Sequence, residues 1–189
     1  MKEVIIAKGK LFELVHETQP DGRVFEKARR APGVRLIIAN RGKREVLLTK
    51  EFRRELQDWD YRLPGGKVFD SLDEYERFRK NGEDIIIAAH KKATEESVEE
   101  AGIQVSELEE FKRSTLGATV EWDLFVFEAK TWRVAEEGQQ LEDGEIIEAD
   151  NWFSYEEVIE KILSGDMQEE RIALILLQWI HQQEKEVTL

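Results

Sequence analysis

The chain contains no cysteine, which excludes a disulfide framework and a thiolate metal site. It has no apolar stretch of the roughly 18–20 residues that a membrane helix needs. Its first residues, Met1-Lys2-Glu3-Val4-Ile5-Ile6-Ala7-Lys8, place charges close behind a short apolar run and do not read as a secretory signal. A cytoplasmic setting is expected, with no membrane partner. Positive charge is in deficit: 28 Lys and Arg stand against 41 Asp and Glu, for a net charge of −13. A surface this acidic repels phosphate backbones and argues against duplex nucleic acid as a partner. A nucleotide would be repelled as well, unless cations or local arginines intervene. Internal repeats and low-complexity segments are also missing.

What remains is a chain of 189 residues, 41% hydrophobic and 37% charged, the balance of a soluble globular protein with a sizeable core. Short β-rich runs come first. Residues 4–7 and 10–16 read as two strands, Asp21-Gly22 as a turn and residues 24–30 as a third strand. Residues 34–39 and 46–52 read as a hairpin around the polar Asn40-Arg41-Gly42-Lys43. Tyr61-Arg62-Leu63 is a short strand before a glycine turn. Ser71-Leu72-Asp73-Glu74 has capping-box spacing and predicts a helix that Asn81-Gly82 ends. A longer helix follows over about 83–101, closed by Gly102. Residues 111–115, 121–130 and 146–153 read as strands, and 132–140 as a polar loop. In 121–130, Trp122, Leu124 and Val126 fall on one face and Phe125 and Phe127 on the other, which suggests a strand buried on both sides. Two more capping boxes, at Ser154 and Asp166, predict helices ending at Ser164-Gly165 and spanning 171–183. Strands first and last, with helices between, predict an α/β (α+β) fold. The expected form is an α-β-α sandwich with a mixed β-sheet, preceded by an N-terminal strand arm over 1–33. The apolar stripe Ile172, Ile175, Leu176, Trp179 and Ile180 is read as core or dimer packing.

The stretch from Leu63 to Ile103 carries the chemistry. Leu63-Pro64-Gly65-Gly66 makes a tight turn, and Glu96, Glu99 and Glu100 lie on neighbouring positions of one helix. Three carboxylates within one turn repel each other, and near a helix C-terminus they oppose its dipole. A hard divalent cation would reverse the sign of that interaction, and oxygen-only ligands favour Mg²⁺ or Mn²⁺ over zinc. Taken alone, the cluster also has the look of a solvated acidic face. The order of glycine turn, carboxylate helix and closing Gly102-Ile103 sets it apart.

That order resembles the Nudix hydrolase family. Its box is a glycine, five residues, a glutamate, seven residues, then Arg-Glu-apolar-x-Glu-Glu-x-Gly-apolar. Gly66 matches the opening glycine, and Glu96, Glu99, Glu100, Gly102 and Ile103 match the second half. Val46 through Arg53, Leu63 through Gly66, Gly117 through Phe127, the acidic loop near Glu145, and Trp152 before a capped helix resemble the ADP-ribose and nucleotide-sugar pyrophosphatase branch. About residues 10–180 fit that pattern. The sequence departs from it in three places. Glu95 stands where the box has arginine, and Ser97 where an apolar residue is usual. The spacing after Gly66 is stretched by residues 70–81, read as an inserted helix at about 70–82 within a catalytic domain over 34–189. Glu83 is the candidate for the early glutamate, one turn too early, and Lys92 or Lys91 for the missing guanidinium.

The resemblance implies Mg²⁺, or Mn²⁺, on Glu96, Glu99, Glu100 and the Gly65 carbonyl. It implies Glu99 and Glu145 as catalytic groups, with Glu142 and Asp143 as alternatives to Glu145. It implies substrate contacts from Gly66, Arg53, Arg54 and Trp59. The substrate would be a nucleoside diphosphate linked to a second group, and the protein a homodimer. A triphosphate house-cleaning pyrophosphatase and a Nudix-like binding domain without turnover are the competing readings, the latter because of Glu95.

Overall fold

A computed structural model describes residues 2–187. β1 (Lys2–Lys8), β2 (Phe12–Thr18) and β3 (Val24–Arg30) form an antiparallel meander. The meander joins the main sheet where β3 runs parallel to β8 (Val120–Val134), through the pairs Ala28–Val120 and Arg29–Glu121. β8 also pairs in parallel with β4 (Gly33–Asn40) and antiparallel with β7 (Ile103–Leu116). β5 (Glu45–Arg53) holds β6 (Asp58–Arg62) on one side and β9 (Ile147–Ser154) on the other.

Helices cover both faces of this mixed sheet. Alternate β8 residues divide between them, as the sequence pattern predicts. Leu124 and Val126 enter the core with Leu176 and Trp179, beneath α3 (Tyr155–Ser164) and α4 (Glu170–Val187). Phe125 and Phe127 enter the opposite core with Ala89 and Ala93 of α2 (Ile85–Glu99). Complete burial of such side chains contributes about 1.5–3 kcal/mol each. The stripe Ile172, Ile175, Leu176, Trp179 and Ile180 is at most 2% exposed, so it is core.

Several local expectations change. The predicted hairpin pairs only at Ala39–Val46 and Asn40–Glu45, because the Pro64–Gly66 turn takes the rest of that edge of β4 while β8 pairs along the other. β7 starts at Ile103, well before residue 111, and β8 continues to Val134, taking the first residues assigned to a loop. Ser71 caps α1 (Leu72–Asn81) by accepting from the Glu74 N–H, but Glu74 returns its carboxylate to Asp70 and not to Ser71. Ser154 and Glu157 complete a reciprocal box at α3. The Asp166 box does not form: α4 begins at Glu170, and Asp60 accepts from the Gln168 N–H instead. No helix among the described residues is long and apolar enough to cross a membrane.

Candidate active site

The glycine turn lies against the C-terminal end of α2. Pro64 and Gly66 carbonyls accept from the Leu36 and Val34 N–H groups, which bind the turn to β4. Gly65 has φ +138°, and a Cβ there would meet the Val34 carbonyl oxygen at 2.3 Å. The position therefore requires glycine on two counts, conformation and space. Its N–H donates to Glu100 Oε2 at 2.7 Å. At Gly66 the obstacle is different: a Cβ would sit 2.0 Å from Glu96 Oε1. The missing side chain is the room that the Glu96 carboxylate occupies.

Asp84 starts α2 by accepting from the Ile86 N–H. The helix ends at Glu99, and Gly102, at φ +63°, closes it through its N–H to the Val98 carbonyl. Ser97, in the usually apolar place, is fully buried and donates its hydroxyl to the Thr94 carbonyl. Of the two lysines considered for the missing guanidinium, Lys91 pairs outward with Glu95. Lys92 turns inward, with its ammonium 3.1 Å from Glu96 Oε1 and 3.2 Å from Glu99 Oε2. Burial opposes the charge on Lys92, but the attraction of Glu96 and Glu99 outweighs it and holds the ammonium above the usual lysine range.

A small cavity of about 100 Å³ brings together Gly66, Glu96, Glu99, Glu100, Glu142 and Glu145, with Lys67, Asp70 and Lys92. Four of these, Lys67, Asp70, Lys92 and Glu142, also line a second cavity of about 650 Å³ between α2 and α1. Helix α1 thus walls the larger cavity with Glu74 and Phe78. Glu83 lines this cavity too and accepts from the Asn81 side chain, away from the carboxylate cluster. Glu145 accepts from the Glu142 N–H at 2.9 Å, folding its loop onto itself at the rim. Arg54 steadies that loop by donating to the Gly144 carbonyl. Arg53 is held between Glu51 and Glu55, and Trp59 packs edge-on against Phe52 beneath Lys50. Arg53, Arg54 and Trp59 line neither cavity. Trp122 is sandwiched by the guanidinium groups of Arg30 and Arg171, each 4.1 Å from its ring.

Among the described residues, no three Asp, Glu, His or Cys side chains are arranged to hold a metal ion. The reason is visible in the pairing, since Glu96 and Glu99 face the Lys92 ammonium and Glu100 is drawn to Gly65. The donor set still fits a hard cation. Two carboxylates already share one positive charge, and a Mg²⁺ ion commonly takes only one or two carboxylates plus waters and substrate phosphates.

Arg35 escaped the sequence reading. It sits in the apolar run Val34–Ala39, where a charge that breaks the pattern was the available signal. Its side chain is buried, with Nε lacking a partner, and burial together with Arg62 pulls the guanidinium down to about 10. Glu100 is its electrostatic counterpart. Burial pushes Glu100 up to about 8, Glu96 adds to the rise, and Arg35 and the Gly65 N–H oppose it. Glu96 is raised for the same first reason, burial, against the pull of Lys92.

These shifts have a measurable consequence. A carboxyl whose folded value exceeds its unfolded one binds its proton more tightly in the folded state. The stabilisation from Glu100 is complete below about pH 4.5 and is lost as pH rises through about 8. In EDTA, the melting temperature of wild type should therefore fall relative to Glu100→Gln between these limits. Parallel melting curves across that range would contradict the assignment.

A second test concerns Gly66. In Gly66→Ala the new methyl meets the far end of a side chain, so the fold should survive while Glu96 is displaced. Hydrolysis should drop by roughly 10–100-fold, the usual cost of disturbing a ligand's support. An unchanged rate would mean that Glu96 does not need its present position.

No curated protein matches the chain. Its fold is similar to that of a solved structure described as an ADP compounds hydrolase, with a TM-score of 0.61 at 15% identity, covering 97% of this chain and 94% of that one. The NUDIX domain model matches residues 29–175, from the end of β3 into α4, and spans the glycine turn, the carboxylate helix and the Glu145 loop. With that match over most of its length, the chain belongs to the Nudix hydrolase family.

Proposed function

We propose that the protein hydrolyses the diphosphate bond of ADP-ribose or a nucleoside diphosphate sugar, giving a nucleoside monophosphate and a sugar phosphate. The observation that carries this reading is the junction of two cavities. The small carboxylate-lined one suits a diphosphate with its cation, and the adjoining one has room for a nucleoside or sugar. The solved structure described as an ADP compounds hydrolase is in keeping with this substrate class. Glu96, Glu99 and Glu100 would hold Mg²⁺ or Mn²⁺, with the Gly65 carbonyl as a further oxygen donor. When bound, the cation neutralises phosphate oxygens and lowers the pKa of the attacking water. Glu145, at the rim, would take the proton of that water, and Glu99 would keep the acidic wall beside it. Lys67 and Lys92 supply positive charge at the cavity junction, where an acidic surface would otherwise repel the substrate. The Gly66 backbone would lie along the diphosphate, and Arg53, Arg54 and Trp59, which line neither cavity, would meet the substrate only where it extends beyond them.

The N-terminal meander exposes Val4, Ile5, Ile6, Phe12, Val24 and Phe25. We assign this exposed apolar surface to a homodimer contact, which sedimentation at micromolar concentration would show as a doubled mass.

A second reading, a binding domain without turnover, is favoured by one feature. Glu95 faces Lys91 in place of an arginine that would support the carboxylates. One screen separates the readings: ADP-ribose, nucleotide sugars, dinucleoside polyphosphates and triphosphates, each with Mg²⁺ and with EDTA. Metal-dependent release of a nucleoside monophosphate from the diphosphates is expected. Preference for triphosphates would indicate the house-cleaning activity, and tight binding without release the regulatory one.

A further inference from the structure

The chain carries its own cation at the carboxylate cluster. The Lys92 ammonium contacts Glu96 and Glu99 at 3.1 and 3.2 Å, and both partners belong to the box. Lys92 also lines both cavities, so its head group stands on the boundary between the carboxylates and the larger space. Its flexible four-carbon stem lets the ammonium move within a short radius without moving α2. A divalent ion cannot share the space between Glu96 and Glu99 with this ammonium, because the two cations repel at contact distance.

We propose that Lys92 is a tethered competitor for the divalent cation, displaced toward the substrate's diphosphate when metal and substrate bind together. Three observations support the assignment: the two ion pairs, the position at the cavity junction, and the lack of a ready three-carboxylate metal cluster among the described residues. The inference rests on the diphosphate-hydrolase reading for the identity of the anion that receives Lys92. In the absence of substrate the metal must expel Lys92 from two carboxylates with no new partner for it. With a diphosphate present, the ammonium exchanges carboxylate oxygens for phosphate oxygens. Metal and diphosphate therefore strengthen each other's binding, and the enhancement is reciprocal by linkage.

The test measures Mn²⁺ affinity from the electron paramagnetic resonance signal of the free ion, with and without α,β-methylene-ADP. In wild type, the analogue should tighten Mn²⁺ binding by about tenfold, within the usual range of site-to-site coupling. In Lys92→Met, Mn²⁺ alone should bind about tenfold more tightly than in wild type, and the analogue should add little. Lys92→Arg keeps the charge and should retain the weak metal binding of wild type, which separates loss of the cation from a packing change. Thermal melting of each variant checks the fold.

The substrate screen is run on the same preparations. Turnover with unchanged Mn²⁺ affinity in Lys92→Met overturns the role of Lys92 alone. Tightened affinity without turnover in any variant supports Lys92 as competitor and removes the hydrolase reading. Failure of Mn²⁺ to bind wild type and Lys92→Met overturns both.

Discussion

Glu99→Gln is expected to lower the hydrolysis rate by about 10²–10⁴-fold, the range for a residue that handles a proton or its cation in the transition state. Glu99 is half-buried at the mouth of the small cavity, and its carboxylate shares the Lys92 ammonium with Glu96. Glutamine keeps the shape and removes the charge, so helix α2 and its packing should persist. The melting temperature in EDTA should change by no more than a few degrees, since the like-charge repulsion among the three glutamates is relieved as one ion pair is lost. Rates are read as nucleoside monophosphate released under saturating Mg²⁺. Glu110→Gln, on the exposed part of β7, serves as the charge-matched control and should leave the rate as it is. If Glu99→Gln turned over at the wild-type rate, the carboxylate cluster would not be the reacting site.

The second large effect is on stability. Gly65→Ala places a methyl 2.3 Å from the Val34 carbonyl oxygen and 2.9 Å from the Arg35 Cα, at φ +138°. Both obstacles are backbone atoms of β4, in the centre of the sheet, and neither can rotate away. Backbone strain and overpacking each cost about 1–3 kcal/mol, so a loss of roughly 3 kcal/mol or more is expected. For a chain of this size that lowers the melting temperature by about 6–12 °C. Gly117→Ala is the comparison: its φ is also positive, but no atom lies within 4 Å of the added carbon. That variant should lose only about 1 kcal/mol. Equal losses at the two positions would show that contact with β4 adds nothing to the conformational term.

The pair Gly65 and Gly66 illustrates how differently two adjacent glycines act. One is fixed by the backbone it presses against, the other by a carboxylate tip. Substitution at Gly65 should therefore read out in melting, and at Gly66 in catalysis. Both belong to one sequence motif, and the positive φ at Gly65 together with the direction of the missing Cβ atoms separates their roles.

The sequence by itself determined the features that depend on near neighbours. The Ser71 and Ser154 caps, the stop at Gly82, the alternation along residues 124–127 and the grouping of Glu96, Glu99 and Glu100 on one helix all follow from spacings shorter than about two turns. Lys92 belongs to the same class, since positions four and seven residues apart share a helix face. Tertiary structure decided what distant segments do to each other. β4 pairs with β8 along one edge and forms the hairpin with β5 only beside the turn, because the glycine turn takes the rest of its other edge at Val34 and Leu36. Arg35 acquired its buried place opposite Glu100 through that same pairing. Asp166 caps nothing, and the Gln168 N–H just ahead of α4 is taken instead by Asp60, more than a hundred residues away in the chain. Local periodicity is written in the order of residues. Which loop closes over a helix end depends on non-local contacts, whose energies no short window of sequence contains.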